Sequence, residues 1–178
     1  TNAETAELAK LTENAFRDVN IAFANELSII CESLGIDVWE LIKIANHHPR
    51  VSILQPGPGV GGHCIAVDPW FIVSQSPNES KLIREARQVN DKKPFWVIEQ
   101  VKLAIANELI ESPNKTVKDI SIACYGLSFK ANIDDLRQSP AVLIAEEIIK
   151  FHPGNIDLIE PHINTLPATL NANLISDI

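Results

Sequence analysis

The residue best placed for chemistry is Cys64, near the end of a glycine-crowded stretch, Pro56 to Pro69, that reads PGPGVGGHCIAVDP. Four of the chain's seven glycines, Gly57, Gly59, Gly61 and Gly62, fall within it. Such clustering lets a backbone turn tightly and come close to another group, because glycine takes positive φ without a steric penalty. Asp68 and Pro69 read as an N-cap and first helical residue for WFIVSQ. A thiol just ahead of a helix start is favoured as thiolate by the amide dipoles, and thiolate is the nucleophilic form. The other reading is a tight structural loop around an inert buried cysteine.

Further polar groups flank the loop. Lys10, Asn14 and Arg17 recur at i, i+4 and i+7 and so share one helix face, either solvated or lining a site. Asn14 is a weak helix former, which a specific hydrogen bond would account for. Arg50 could hold a phosphate through its guanidinium fork, or cap the carbonyls of the helix before it. His47, His48, His63 and Cys64 lack the paired spacing of a zinc site, and no metal is expected. Downstream, FKANIDDLRQSP carries Lys130 and Arg137, two cations suited to phosphates, with Asp134 and Asp135 available to balance them.

The elements that must position these groups follow from hydrophobic period. From about Ala3 to Leu34, apolar residues at Leu8, Leu11, Ala15, Val19, Ala22 and Phe23 predict a long helix, with Gly35 just past its end. A helix of that length often joins domains or pairs with a copy of itself. Asp37 caps a second helix, VWELIKIANHH, which Pro49 ends. Two amphipathic helices are expected over 78–90 and 94–109. Pro113-Asn114 marks a break, after which ISIACYGLSF reads as a buried parallel strand with Gly126 near its end. Ser139-Pro140 opens the helix AVLIAEEIIKF, and NIDLIE makes another strand. That strand, helix, strand unit is of the doubly wound type, whose ligands bind at the carboxyl ends of the strands. No G-x-G-x-x-G follows the first strand, so it is not an ordinary dinucleotide site by motif.

The bulk properties set limits. A chain of 178 residues, 46% hydrophobic and 21% charged, can bury a real core in one domain or two small ones. A net charge of -8 argues against nucleic acid or an anionic membrane as the main partner. No apolar run approaches the ~20 residues that span a bilayer, the N-terminus has no signal-peptide pattern, and the chain is read as cytoplasmic. Cys31, Cys64 and Cys124 are odd in number and far apart, as reduced thiols are, and Cys31 and Cys124 are assigned to packing. There is no methionine, so a fragment or processed product is expected.

Three separated signatures, KLTENAFRDVNIAFANE, PGPGVGGHCIAVDPWF and GLSFKANIDDLRQSP, together resemble the nucleotide-sugar 6-dehydrogenases. The HCIAVDPWF ending is similar to the branch acting on UDP-N-acetylhexosamines. The resemblance covers nearly the whole chain, from about Thr5 onward. It implies oxidation of a sugar C6 alcohol to a carboxylate with NAD, in two steps through an aldehyde and a cysteine thioester. UDP-N-acetyl-D-mannosamine is the expected substrate and UDP-N-acetylglucosamine the alternative, in the making of polysaccharide precursors.

By that resemblance Cys64 is the nucleophile, Lys10 a proton-transfer group and oxyanion stabiliser, Asn14 a neighbouring donor, and Asp68 a carboxylate that orients or activates water. Arg17, His48, Arg50 and Gly61 match positions that hold the nucleotide sugar, Arg50 in the partner subunit's site. Phe129 and Lys130 match a substrate clamp, and Arg137 reaches toward NAD. Ala131 stands where the family often has proline. The expected architecture is a mainly α central dimerisation domain over 1–112, then a partial α/β Rossmann-like UDP-binding domain over 113–178, without the amino-terminal NAD-binding Rossmann domain. A homodimer through the long first helix is implied. Two rival readings are a helical dimerisation module without activity of its own, and a cofactor-free thiol hydrolase or acyltransferase using Cys64 and a histidine.

Overall fold

The structure, a computed structural model, describes residues 2–176. The chain divides into two units, Thr1–Lys93 and Pro94–Ile178. The first is helical. Helix α1 (Ala3–Leu34) starts where the Asn2 side chain accepts the Thr5 N–H, and ends at Gly35, whose φ of 66° is left-handed. The N–H groups of Gly35 and Ile36 then bond back to carbonyls of the last turn. At ~1.5 Å per residue, its 32 residues reach about 48 Å.

The buried face of α1 carries small residues, Ala15, Ala22, Ala24 and Cys31, and three polar ones, Asn14, Asp18 and Asn25. Large apolar side chains point the other way: Phe16 is 68% exposed and Phe23 52%. The apolar stripe expected from the sequence therefore splits, with the alanines inside and Leu8 and Phe23 outside.

Helix α2 (Val38–Ala45) is capped by Asp37, as expected, but stops short of Pro49. The reason is Asn46, whose side chain donates to the Ile53 carbonyl at 3.0 Å and accepts the Ile53 N–H at 2.7 Å, turning the chain. Helix α3 (Asp68–Gln75) corrects the capping assignment. Val67 stands at the N-cap without a side-chain bond, and Asp68 is already inside the helix, its carboxylate turned toward Asn14. The two helices expected after it are one, α4 (Lys81–Glu111), with Pro94 inside. Proline removes one N–H from the ladder, and side chains buried on either side of it, Arg87 and Asn90 before and Ile98 after, hold the helix by packing.

The second unit is α/β. Thr116 and Asp119 form a capping box around a short 3-10 turn (Val117–Asp119) that leads into β1 (Ile122–Tyr125). Helix α5 (Pro140–Phe151) crosses over to β2 (Ile156–Ile159), and β3 (Asn173–Ile175) adds on. The sheet is parallel throughout, in the order β1-β2-β3, with Ile122 opposite Ile156 and Asp157 opposite Asn173. Strand β3, too short to show a period in the sequence, was not expected. The core is aliphatic: Leu127, Ile144, Ile148, Leu158 and Ile163 pack with Ile98 of α4. Cys31 is buried and Cys124 lies in β1, both as expected, and burial raises the Cys124 thiol. The fold is thus a helical unit followed by a partial Rossmann-like unit.

Candidate active site

The glycine loop carries Cys64 exposed and ties itself to the rest of its unit at three points. Near its start, the Gly57 N–H donates to Asn25 Oδ1 at 2.8 Å. Just after the cysteine, the Ile65 carbonyl accepts from Arg87 Nη1 at 3.4 Å. At its end, Asn14 Nδ2 donates to Asp68 Oδ2 at 2.6 Å. Within the loop, Gly62 is buried with φ 79°, a conformation that excludes most side chains. The Cys64 carbonyl accepts the Val67 and Asp68 N–H groups, which closes the turn into α3.

Of the predicted residues, Asn14 and Asp68 are thereby brought together, and the hydrogen bond expected for Asn14 has its partner. Lys10 is exposed one turn earlier on α1 and pairs with Glu13 at 3.0 Å. Arg17 is exposed, and Gly61 is half-buried. His48 and Arg50 sit together, exposed, with the Arg50 N–H donating to His48 Nδ1 at 3.2 Å. Among the described residues no group of three or more His, Cys, Asp or Glu side chains is placed to hold a metal ion.

Behind the loop lies a buried polar cluster that sequence reasoning missed. Arg87 and Asp18 are both fully buried and paired. Arg87 also donates to Asp91 at 2.7 Å, and Asn90 Nδ2 to Asp18 Oδ1 at 2.8 Å. Burial pushes the Asp18 carboxyl up to about 6, against the opposing pull of the Arg87 charge and the Asn90 bond. The negative charge of Asp91, which shares Arg87, adds a smaller push in the same upward direction. The available signal was the spacing of Asn14, Asp18 and Asn25, three short polar residues on an otherwise small apolar face.

In the second unit, the loop after β1 carries the other predicted residues. The Phe129 N–H donates to the Asp135 carbonyl at 3.2 Å, and Lys130 is exposed. Arg137 is exposed too and forks onto Asp135, Nε to Oδ1 at 2.9 Å and Nη2 to Oδ2 at 2.7 Å. Glu160, at the end of β2, was also missed. Its Oε2 accepts the N–H groups of Leu127 and Ser128 at 2.9 and 3.1 Å, and its Oε1 that of His162 at 3.2 Å. In a dinucleotide fold the N–H groups of this first turn face the pyrophosphate. Here a carboxylate of the chain occupies them, so the turn after β1 does not offer these N–H groups to a pyrophosphate.

The first unit thus carries an exposed thiol on a glycine loop, and a partial Rossmann-like unit follows it. Residues 4–92 match the central domain of the UDP-glucose/GDP-mannose dehydrogenase family and residues 123–178 its UDP binding domain, and the chain belongs to that family. It is 64% identical over 170 residues to UDP-N-acetyl-D-mannosamine dehydrogenase of Escherichia coli K12, covering 96% of this chain and 40% of that protein. It is 61% identical to an NDP-N-acetyl-D-galactosaminuronic acid dehydrogenase of Ralstonia nicotianae, covering 96% of this chain and 38% of that one. The fold superposes on the solved UDP-D-ManNAc dehydrogenase of Pyrococcus horikoshii with a TM-score of 0.78 at 40% identity, over 92% of this chain and 38% of that chain. The chain thus spans about two fifths of the length of these relatives.

Proposed function

We propose that this chain supplies the thiol chemistry and part of the substrate grip of an NAD-dependent 6-dehydrogenase acting on UDP-N-acetyl-D-mannosamine. The observation that carries the reading is the exposed Cys64 on its glycine loop, with Asn14 and Asp68 bonded at the loop's end, in a chain so similar to relatives named for that substrate.

In this mechanism the Cys64 thiolate adds to the C6 aldehyde, forming a C–S bond and an alkoxide. Asn14 donates a hydrogen bond to that oxygen, while Lys10 protonates it and takes the proton back when C6 gives up its hydride and the carbonyl re-forms as a thioester. Asp68, whose carboxylate is oriented by Asn14, holds the water that breaks the C–S bond, releasing carboxylate and free thiol. NAD is the hydride acceptor of both oxidations, and Arg137 is the one described residue assigned to it. Arg17, His48, Arg50 and Gly61 contact the nucleotide sugar, Arg50 in the partner's site, while Phe129 and Lys130 clamp its UDP end. The outward Phe16 and Phe23 of α1 support a homodimer through that helix. No described helix is long and apolar enough to cross a membrane, which is compatible with a cytoplasmic enzyme of polysaccharide precursor synthesis. By themselves the 178 residues should turn over no sugar, since Glu160 already takes the N–H groups that the turn after β1 would offer a dinucleotide.

The test is NADH production by the longest reading frame that encodes this chain, offered UDP-N-acetylmannosamine, UDP-N-acetylglucosamine and UDP-glucose. Two NADH per N-acetylmannosamine nucleotide, abolished by Cys64→Ser, is the expected result. Turnover that survives the serine, or none with any of the three sugars, would overturn it.

A further inference from the structure

The buried polar cluster behind the cysteine loop has a fixed polarity, and that polarity runs out to the loop backbone. Asp18 Oδ1 accepts from Arg87 and from Asn90 Nδ2, and the Asp18 carbonyl accepts from Asn90 as well at 3.0 Å. With its amino group committed to Asp18, Asn90 can offer Asn25 only its oxygen, and Asn25 Nδ2 donates to it at 2.8 Å. Asn25 must then present its own oxygen outward, where the Gly57 N–H meets it. A reversed amide at either asparagine would set donor against donor. The second exit from the cluster is Arg87, which spans from Asp18 to the Ile65 carbonyl. The loop is therefore gripped before the cysteine and immediately after it, by side chains that are fully buried and whose orientation Asp18 sets.

We infer that Asn25 is a positioning residue for the Cys64 loop, with Arg87 as the second tie, so that the buried cluster holds the thiol in register with Asn14 and Asp68. The inference rests on the reading of Cys64 as nucleophile. A cluster that merely stabilised α1 against α4 would have no use for a bond to loop backbone at Gly57. Ser28 supplies the contrast: it accepts from Lys93 Nζ at 2.5 Å on the same helix and makes no bond to the loop.

Hydrogen exchange read by mass spectrometry on the full chain, comparing Asn25→Ala with Ser28→Ala, tests the tie without any turnover. Asn25→Ala should speed exchange of the Gly57 segment about tenfold, the effect of one lost buried bond, while Ser28→Ala leaves that segment as in the parent. Asn25→Asp, protonated in its fully buried place, keeps an oxygen for Gly57 and an O–H for Asn90 Oδ1, and at pH 5 it should retain parental protection there, a result that stands even if Asn25→Ala does not fold. Equal acceleration in the alanine variants, none in Asn25→Ala, or a tenfold gain in Asn25→Asp would each overturn the inference. In the active enzyme, Asn25→Ala should lower kcat about tenfold with KM within about threefold, as expected for a displaced nucleophile rather than lost substrate contacts. Should Cys64→Ser leave turnover intact, the nucleophile reading falls, whereas exchange at Gly57 still decides the tie.

Discussion

Among the described residues each unit buries one carboxylate, and the two respond to burial in opposite ways. Desolvation acts to raise both Asp18 and Glu160. At Asp18 it prevails over Arg87 and Asn90, and the carboxyl sits at about 6. At Glu160 the N–H groups of Leu127, Ser128 and His162 outweigh it, and the carboxyl falls below its ordinary value. The difference is one of satisfied oxygens. Glu160 has backbone donors on both, whereas Asp18 Oδ2 has no partner in the described structure. A backbone cage accommodates a buried anion better than a single strong cation that must itself be desolvated.

The comparison is tested most severely by removing each carboxylate. Asp18→Ala strands Arg87, fully buried, with only the half-exposed Asp91 as counter-ion, and should cost about 3–5 kcal/mol in urea unfolding. Glu160→Gln keeps an oxygen for the turn after β1 and should cost about 1–3 kcal/mol. Equal losses would show that the charge pair, for all its burial, is no more critical than the cage.

A smaller effect separates the two by sign. Between its ordinary 3.8 and about 6, folded Asp18 holds a proton that the unfolded chain releases, so its contribution is full at low pH and fades as pH rises through 6. Stability of the parent relative to Asp18→Asn should thus fall between pH 4 and 7, by at most about 3 kcal/mol. Glu160 is lowered, so its contribution is present above 4.5 and lost as pH falls through the folded value. The parent's advantage over Glu160→Gln should therefore grow from pH 3 to 6. Parallel slopes in the two denaturant series would refute the opposition.

The same contrast governs what could be read from the sequence. Helix α1 was legible because its apolar spacing and Gly35 agree on its extent, and the alternation of β1, α5 and β2 was plain from apolar runs separated by turn residues. Of the candidate site, the hydrogen bond of Asn14 was legible because asparagine is distinctive within a helix. What stayed hidden depends on pairing across the fold. Asp18, Asn25, Arg87 and Asn90 look like ordinary helix-surface residues until α1 and α4 are packed, and Glu160 looks like a strand-end charge until the β1 turn closes on it. Asp68 was misread by one position because its carboxylate takes a partner 54 residues away instead of its own backbone. The break expected between helices at Pro94 failed because packing of the buried residues on either side outweighs one missing bond.

The gentlest test of the comparison uses two glycines, Gly35 at the end of α1 and Gly154 before β2. Gly35 needs its left-handed φ of 66°, yet a Cβ there would meet nothing within 4 Å. Its replacement by alanine therefore carries only the backbone cost of that conformation, about 1 kcal/mol. At Gly154 a Cβ would run into the Ile120 carbonyl and the His152 ring, itself bonded to the same carbonyl at 2.8 Å. Relief there must move the backbone leading into β1 or break the histidine bond, and Gly154→Ala should cost about 1–3 kcal/mol. Thermal unfolding of the two variants should rank Gly154→Ala below Gly35→Ala. The reverse order would mean that the approach to β1 yields more easily than the end of α1, and that the grip of Glu160 on the β1 turn does not extend to the strand's other end.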